Sequence, residues 1–489
     1  MIYNFHHASA WIKGGIETGM VYRARIFRNL GLDARFIFTN RFLDRNVQHE
    51  TSSLGFLDSE VIWMYSFFTD CKVAPVSYTL EQLENTFEGE NYIFSRNGSM
   101  VKYQFPDINV YYVAFMVDDS SNFVHRVVMI SNGCMLRKDY YTYCRIYSEY
   151  YIPVDNQASL YLRRYYNEDG SVAYEELIDE ETELYKFQDR LIVSAEELVE
   201  YMMSGLHFTE HDVVLLDGEW GSIDRAAFLQ NVYPAKTGFI IHTEHFLHRD
   251  EDHIMWCDWF EYAFSHPEKV DFFVTNTEAQ SCLLREQFRD YKGLEVRVET
   301  IPVAYLDKIH VPKESRKKHS LITAGRLQSD KNVNKIIEAV VMARKKVPDL
   351  TLDIYGGGIR QAELQELIER LDCSAYVHLC GFQKLDEIYQ RYEAYVSASF
   401  GETFGITLLE AVGSGLPIVG FDKPYGIQVF VDEGENGFKI SQFSSEGLAD
   451  GIIRLFTEVD LTFFHTNSYR KAKSHMMIEV EKKWREVLL

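Results

Sequence analysis

The sequence predicts an α/β protein in which two Rossmann-like domains face a cleft and an antiparallel β-rich domain is inserted in the first. Three observations carry this. The chain opens with strand, glycine turn, helix and strand. Short alternating runs rich in Tyr, Phe and Val, separated by turn residues, then replace that rhythm. Strand–helix alternation returns and continues through the second half, which implies parallel sheets with right-handed crossovers.

Composition is compatible with this plan. The 489 residues suffice for two or three domains with sizeable cores. Hydrophobic residues at 46% and charged residues at 25% are ordinary for a soluble globular protein, while aromatics at 14% are high. A formal net charge of −23 argues against general nucleic-acid binding, though it leaves room for a local basic groove around a diphosphate. Seven scattered cysteines read as reduced thiols in a cytosolic protein. Residues 1–15 make no signal peptide, and no run is apolar over the length needed to span a membrane. Peripheral contact with a membrane is left open.

Residues 1–43 form the first part of the first domain. Ile2-Tyr3-Asn4-Phe5 is a strand and Lys13-Gly14-Gly15-Ile16-Glu17 a glycine turn. Residues 18–30 are a helix with Met20, Ala24, Phe27 and Leu30 at helical spacing, and Ala34-Arg35-Phe36-Ile37-Phe38-Thr39 is the next strand. The Gly-Gly turn suits either a plain turn or a backbone approach to phosphate. Residues 44–193 form the inserted domain, beginning with a helix over 57–69 and continuing as a β meander. Its turns are signalled at Asn97-Gly98, Asp118-Asp119, Asn132-Gly133 and Asn167-Glu168-Asp169-Gly170. Such a sheet suits a large partner or acceptor, or merely caps the domain. The acidic run 175–183 reads as a solvated face.

Residues 194–304 resume the first domain. Ser194-Ala195-Glu196-Glu197 is a capping box opening a helix. Strands at 213–217, 238–242, 271–276 and 296–301 alternate with helices over 223–230 and 277–288. A basic linker covers 302–318. Residues 305–475 are assigned to a nucleotide-sugar-binding domain, with helices near 332–346, 360–371, 385–393, 404–413 and 445–456. A last helix over 469–488 ends the chain, and residues 476–489 are expected to return to the first domain.

The candidate chemistry lies at carboxyl ends of strands, where ligands of open α/β sheets bind. Ser399-Phe400-Gly401-Glu402-Thr403-Phe404-Gly405-Ile406-Thr407-Leu408-Leu409-Glu410 passes from a strand through a loop into a helix. The N–H groups of Gly405, Ile406 and Thr407 suit a phosphate. Glu402 sits where it would touch a transferred sugar, and Glu410 suits a ribose diol, because a carboxylate accepts two hydroxyl hydrogens. Arg326 and Lys331, in Gly325-Arg326-Leu327-Gln328-Ser329-Asp330-Lys331-Asn332, would neutralise a leaving diphosphate. His242 ends a buried strand and is expected to hydrogen-bond a bound sugar. His242 and His245 form a His-x-x-His pair, but no third ligand at convincing spacing accompanies it, so no metal is expected.

These motifs resemble family 4 glycosyltransferases of the GT-B fold. The resemblance implies retention at the anomeric carbon, a nucleotide-diphosphate sugar and no required metal or other cofactor. It assigns Arg326 and Lys331 to the diphosphate and Glu410 to the ribose. Glu402, Thr403, Phe404 and Gly405 go to the sugar and its phosphate, Gly381 and Phe382 to the base. Over nearly the whole chain, Gly55-Phe56-Leu57-Asp58, Leu136-Arg137-Lys138-Asp139-Tyr140, Tyr165-Tyr166-Asn167-Glu168-Asp169-Gly170 and His242-Thr243-Glu244-His245-Phe246 are similar to a narrower family. Its members are catalytic subunits that begin O-glycosylation of bacterial serine-rich-repeat adhesins.

That resemblance implies GlcNAc transfer from UDP-GlcNAc to Ser or Thr, a homologous non-catalytic chaperone subunit as partner, and a cytoplasmic place at or near the membrane. It makes His242 a sugar contact and Gly14, Gly15, Ile16, Glu17 and Thr18 the donor-side glycine loop. The chain departs from the pattern at Lys13-Gly14-Gly15 and at Thr403, where the family usually has glycine. Thr403 leaves both GlcNAc and glucose as donors. Two other readings stand beside this one: a non-catalytic glycopeptide-binding chaperone of the same fold, and a glycosyltransferase acting on wall polymer or polysaccharide.

Overall fold

The computed structural model describes all residues except 7–13, 43–45, 88–90, 156, 180–182 and 218–224. Lys13 and the middle of the acidic run therefore lie outside the described residues. The chain divides into two compact units. One comprises Met1–Lys13, Gly31–Phe239 and Glu261–Asp271; the other comprises Gly14–Leu30, Ile240–Phe260 and Phe272–Leu489.

In the first unit, strand Ile2–His6 pairs in parallel with Val213–Asp217 on one side and Ala34–Phe38 on the other. Val61–Trp63 pairs in parallel with Ala34–Phe38. The helix expected over 57–69 is thus replaced by this strand between two short 3₁₀ turns, Asp58–Glu60 and Met64–Ser66. The reason is packing. Val61 and Trp63 are both buried, and the Trp63 indole N–H donates to Asn40 O at 3.0 Å.

Ten antiparallel strands follow as a meander, from Ile93–Asn97 to Leu191–Ile192, each paired with its neighbour in sequence. Strand Met100–Phe105 shows the period-two logic: Val101, Tyr103 and Phe105 are buried, and Leu83 and Phe87 pack on them. The register also lines up one tyrosine per strand, with Tyr140 opposite Tyr147, Tyr147 opposite Tyr165, and Tyr165 opposite Tyr174. Their rings stack at 4.2, 5.6 and 4.4 Å, and Phe187 extends the row at 4.7 Å.

Arg41, just past strand Ala34–Phe38, locks onto this row. Its guanidinium lies 4.1 Å from the Tyr65 ring centroid, donates to Glu176 Oε1 at 2.6 Å and to the Tyr165 hydroxyl at 2.9 Å. Arg163 reaches the same Glu176 oxygen at 2.9 Å and Glu149 at 3.0 Å. Burial lowers the charge affinity of Arg41, but its tyrosine and carboxylate neighbours more than offset this and hold its pKa well above the ordinary value.

The second unit contains a six-stranded parallel sheet in the order Val377–Gly381, Thr351–Tyr355, Ser320–Ala324, Ala394–Ser397, Ile418–Phe421, Gly437–Ile440. The chain builds outward from Ser320–Ala324 on one side, then returns to its other side with Ala394–Ser397. Loops leaving these two central strands diverge, which makes a topological switch point. Leu321, Leu352 and Val396 from the sheet and Ile337 and Val340 from helix Val333–Ala343 form the core beneath.

Several elements differ from expectation. Residues 385–393 contain only the 3₁₀ turn Tyr389–Arg391, because Tyr389 is buried and the chain turns extended at Tyr392. The single helix expected over 469–488 is two, Leu461–Lys473 and Met477–Leu488. The break occurs where Leu306 exchanges backbone hydrogen bonds with His475 O (2.9 Å) and the Met477 N–H (3.1 Å). Met477–Leu488 then packs on helix Gly15–Asn29, with Trp484 edge-on to Phe27 at 5.5 Å. Strand Gly437–Ile440, hairpin Phe246–Arg249 with Ile254–Trp256, and helix Asp258–Ser265 were not expected.

Replacing Arg41 by alanine leaves Glu176 buried without its closest cation. The expected loss of stability is about 3–5 kcal/mol, read by urea denaturation.

Candidate active site

The loops leaving the switch point are stitched together by side chains. Asn332 Nδ2 donates to Ala398 O at 3.1 Å, and the Phe400 N–H donates to Asp330 O at 2.9 Å. Lys331 Nζ pairs with Glu402 Oε1 at 2.6 Å and reaches Ser399 Oγ at 3.2 Å. Arg326 is exposed at the mouth. Gly325, Arg326, Lys331, Tyr395, Ser399 and Glu402 line one pocket.

The neighbouring loop makes this crowding possible. Gly356 has φ +125°, and a Cβ there would fall 1.9 Å from Gly325 O. Its backbone N–H donates to Gly381 O at 2.9 Å, while the Gly325 N–H donates to Tyr355 O at 3.0 Å. Three successive strand ends therefore hold one another by main chain alone. Beyond Gly381, Phe382 is 85% exposed.

Helix Ile406–Gly413 begins at Gly405, whose φ of +86° favours glycine, and no side chain caps it. Its first N–H groups therefore have no side-chain cap. The Tyr395 hydroxyl lies within hydrogen-bond distance of Ala324 O (3.0 Å) and Thr407 Oγ1 (3.1 Å), anchoring the helix to the central strand end. Glu410, one turn into the helix, accepts from the Tyr389 hydroxyl at 3.0 Å. Burial pushes the Glu410 pKa up to about 7; the Tyr389 bond works against this and Asp386 adds to it.

At the glycine loop, the Gly14 N–H donates to Glu17 Oε2 at 3.0 Å and Thr18 Oγ1 donates to Gly14 O at 2.8 Å. Glu17 and Thr18 thus fasten the start of helix Gly15–Asn29, and Ile16 is partly exposed. A methyl added at Gly15 would lie 3.9 Å from Ile406 Cδ1, so this turn runs beside the start of helix Ile406–Gly413. His242 is buried and lines a separate small pocket with Gly19, Tyr22 and Trp484. Its backbone O accepts from the Thr403 hydroxyl. His245 is fully buried with Nε2 2.6 Å from Gln287 Oε1, and burial lowers its pKa to about 4, so it is neutral at pH 7.

The structure therefore brings Arg326, Lys331 and Glu402 to one pocket, and Tyr395, which also lines it, links it to Thr407 at the start of helix Ile406–Gly413. It places Glu410 behind them and joins Thr403 to His242. Sequence reasoning missed Tyr389, Tyr395, Ser399, Glu244 and Tyr425. Tyrosines are too frequent in this chain, 31 in all, for any one to stand out.

Comparison with known proteins adds the following. Residues 93–189 match the family model described as the GtfA extended beta-sheet domain, and residues 307–468 match glycosyl transferases group 1. A UDP-N-acetylglucosamine–peptide N-acetylglucosaminyltransferase GtfA subunit of Streptococcus parasanguinis is 40% identical over 100% of this chain and 98% of the relative. The crystal structure of the pneumococcal O-GlcNAc transferase GtfA in complex with UDP and GlcNAc superposes with a TM-score of 0.93 at 37% identity, covering 100% of this chain and 98% of that one. A crystal structure of a GtfA/B complex gives 0.92 at 39% identity, with the same coverage.

Glu410 has a consequence for stability. Its folded pKa of about 7 exceeds the ordinary 4.5, so between these values the folded state keeps a proton that the unfolded state has lost. Stability falls as pH rises through this window and levels off above it, by about 2–3 kcal/mol from this group alone. Glu410→Gln should flatten that part of the profile in urea denaturation followed from pH 5 to 8.

Proposed function

The chain belongs to the GtfA-subunit family of UDP-N-acetylglucosamine–peptide N-acetylglucosaminyltransferases, and from that premise we propose that it moves GlcNAc from UDP-GlcNAc to Ser and Thr hydroxyls of a serine-rich-repeat adhesin. It thereby starts the O-glycosylation of that polypeptide. The observation that carries this reading is the grouping of Lys331, Glu402, Arg326 and an uncapped helix start at the switch point of a chain alike to its relatives from end to end.

Chemically, the transfer is retaining. The acceptor hydroxyl approaches C1 of the sugar on the face from which the diphosphate leaves. The C1–O bond to phosphate breaks, the new C1–O bond forms, and the acceptor proton passes to a departing phosphate oxygen. Arg326, Lys331 and the N–H groups of Gly405, Ile406 and Thr407 stabilise the charge developing on that phosphate. Lys331 is already neutralised by Glu402 at 2.6 Å, so arrival of the diphosphate shifts its bonds rather than bringing a bare cation into place. Glu402 and His242 hold the sugar, Glu410 the ribose, and Gly381 with Phe382 the base; Gly14 to Thr18 border the donor. The reaction uses no metal.

The partner is a homologous GtfB-type subunit, as in the GtfA/B complex of the relative. Among the described residues no helix is long and apolar enough to cross a membrane. The complex works in the cytoplasm, peripheral to the membrane.

Incubating the protein and its partner with a Ser/Thr-rich peptide and either UDP-GlcNAc or UDP-glucose should give an α-linked GlcNAc adduct, identified by mass spectrometry and NMR. A glucose adduct alone would overturn the donor, and no adduct with either would overturn the reaction. Arg326→Ala and Lys331→Ala should each lower kcat by roughly a hundredfold or more, with the melting temperature of Arg326→Ala unchanged. Near-normal turnover in both would overturn the diphosphate assignment.

A further inference from the structure

The main chain after strand Lys236–Ile241 is held with unusual thoroughness. Three successive carbonyls each accept a side-chain hydrogen bond. Asn276 Nδ2 donates to Ile241 O at 3.3 Å, Thr403 Oγ1 to His242 O, and Gln280 Nε2 to Thr243 O at 2.8 Å. One residue further, the Glu244 carboxylate accepts from the Tyr425 hydroxyl at 2.5 Å. Asn276 and Gln280 belong to the segment that starts helix Glu278–Lys292 and fix this stretch to its own strand neighbours. Thr403 and Tyr425 come instead from the surroundings of Glu402.

Those two residues act as one body. The backbone N–H groups of Tyr425 and Gly426 donate to the Glu402 carbonyl at 3.0 and 2.7 Å. A methyl on Gly426 would fall 2.3 Å from Phe404 O, so the two chain segments are in direct main-chain contact. Two hydroxyls therefore project from a single rigid piece that also carries the Glu402 carboxylate. Both end on the stretch that carries His242. The sheet does not require either bond, since the strand ends before them.

We infer that Thr403 and Tyr425 are positioning residues for sugar transfer, clamping residues 242–244 to the Glu402 segment so that the His242 ring is held at a fixed place relative to Glu402. This rests on the reading of His242 and Glu402 as the groups that hold the sugar. The Thr403 hydroxyl hydrogen is committed to a backbone carbonyl. Thr403 acts through His242, and its single donor is not spent on the donor sugar. Thr403→Val keeps the shape of the side chain but removes its donor, so the His242 carbonyl faces a methyl. Tyr425→Phe likewise removes only the bond to Glu244.

The test uses the protein with its partner subunit, a Ser/Thr-rich peptide and varied UDP-GlcNAc. Thr403→Val and Tyr425→Phe should each lower kcat roughly tenfold to a hundredfold, the range expected for a misplaced reacting group. The Kd for UDP, which lacks the sugar, should move less than about twofold. Thr403→Ser should recover most of what Thr403→Val loses. His242→Ala is the reference. If His242→Ala is impaired while Thr403→Val and Tyr425→Phe are both fully active, the clamp is overturned and the donor-site reading stands. If His242→Ala is itself fully active, the reading beneath it fails. Loss of UDP affinity in step with kcat would assign the two residues to holding the fold and would also overturn the clamp.

Discussion

The ion pair between Lys331 and Glu402 is the contact around which the switch point of the six-stranded sheet is arranged. It joins loops that leave two adjacent central strands in opposite directions, at the one place where a parallel sheet opens a crevice. Everything nearby serves to keep that crevice narrow and its walls fixed. Gly356 allows the next loop to press against Gly325, Asn332 and Asp330 tie the loop backbones together, and Tyr395 pins the helix start. A cation and a carboxylate held in this way keep the pocket close to neutral before any anion arrives. In the proposed reaction the exposed Arg326 and the helix N–H groups would meet the phosphate first, and Lys331 would contribute as its bonds rearrange.

The strand ends and loop–helix junctions that carry Gly325, Arg326, Lys331, Glu402, Gly405 and Glu410 were legible in the sequence, and the structure pairs Lys331 with Glu402 there. What could not be read is which groups stand behind them. That Tyr389 supports Glu410, or that Tyr425 reaches Glu244, depends on chain segments far apart in sequence. Thr403 illustrates the limit. From the sequence it was extra bulk and a hydroxyl beside the sugar; in the fold that hydroxyl turns to a backbone carbonyl.

The same division holds for the fold. Long periodic helices and apolar parallel strands announced themselves, and so did the meander, whose turns carry Asn-Gly and Asp-Gly signals. The failures were short elements decided by tertiary contacts. Val61–Trp63 is three residues whose apolar run also fits a helix, and only pairing with Ala34–Phe38 settles it. The break at residues 474–476 has neither proline nor glycine. It exists because Leu306 takes up the backbone groups that a continuous helix would have used.

The row of rings across the meander, Tyr140, Tyr147, Tyr165, Tyr174 and Phe187, gives the high aromatic content a structural place. It also has an optical side. Rings stacked this closely contribute together to the near-ultraviolet dichroism that reports fixed tertiary packing. Because Tyr140, Tyr147, Tyr165 and Tyr174 come one from each of four neighbouring strands, a slip of one of these strands by one residue would turn its ring to the opposite face and interrupt the coupling. The protein thus carries an intrinsic spectroscopic gauge of strand register, located in the β meander and independent of turnover.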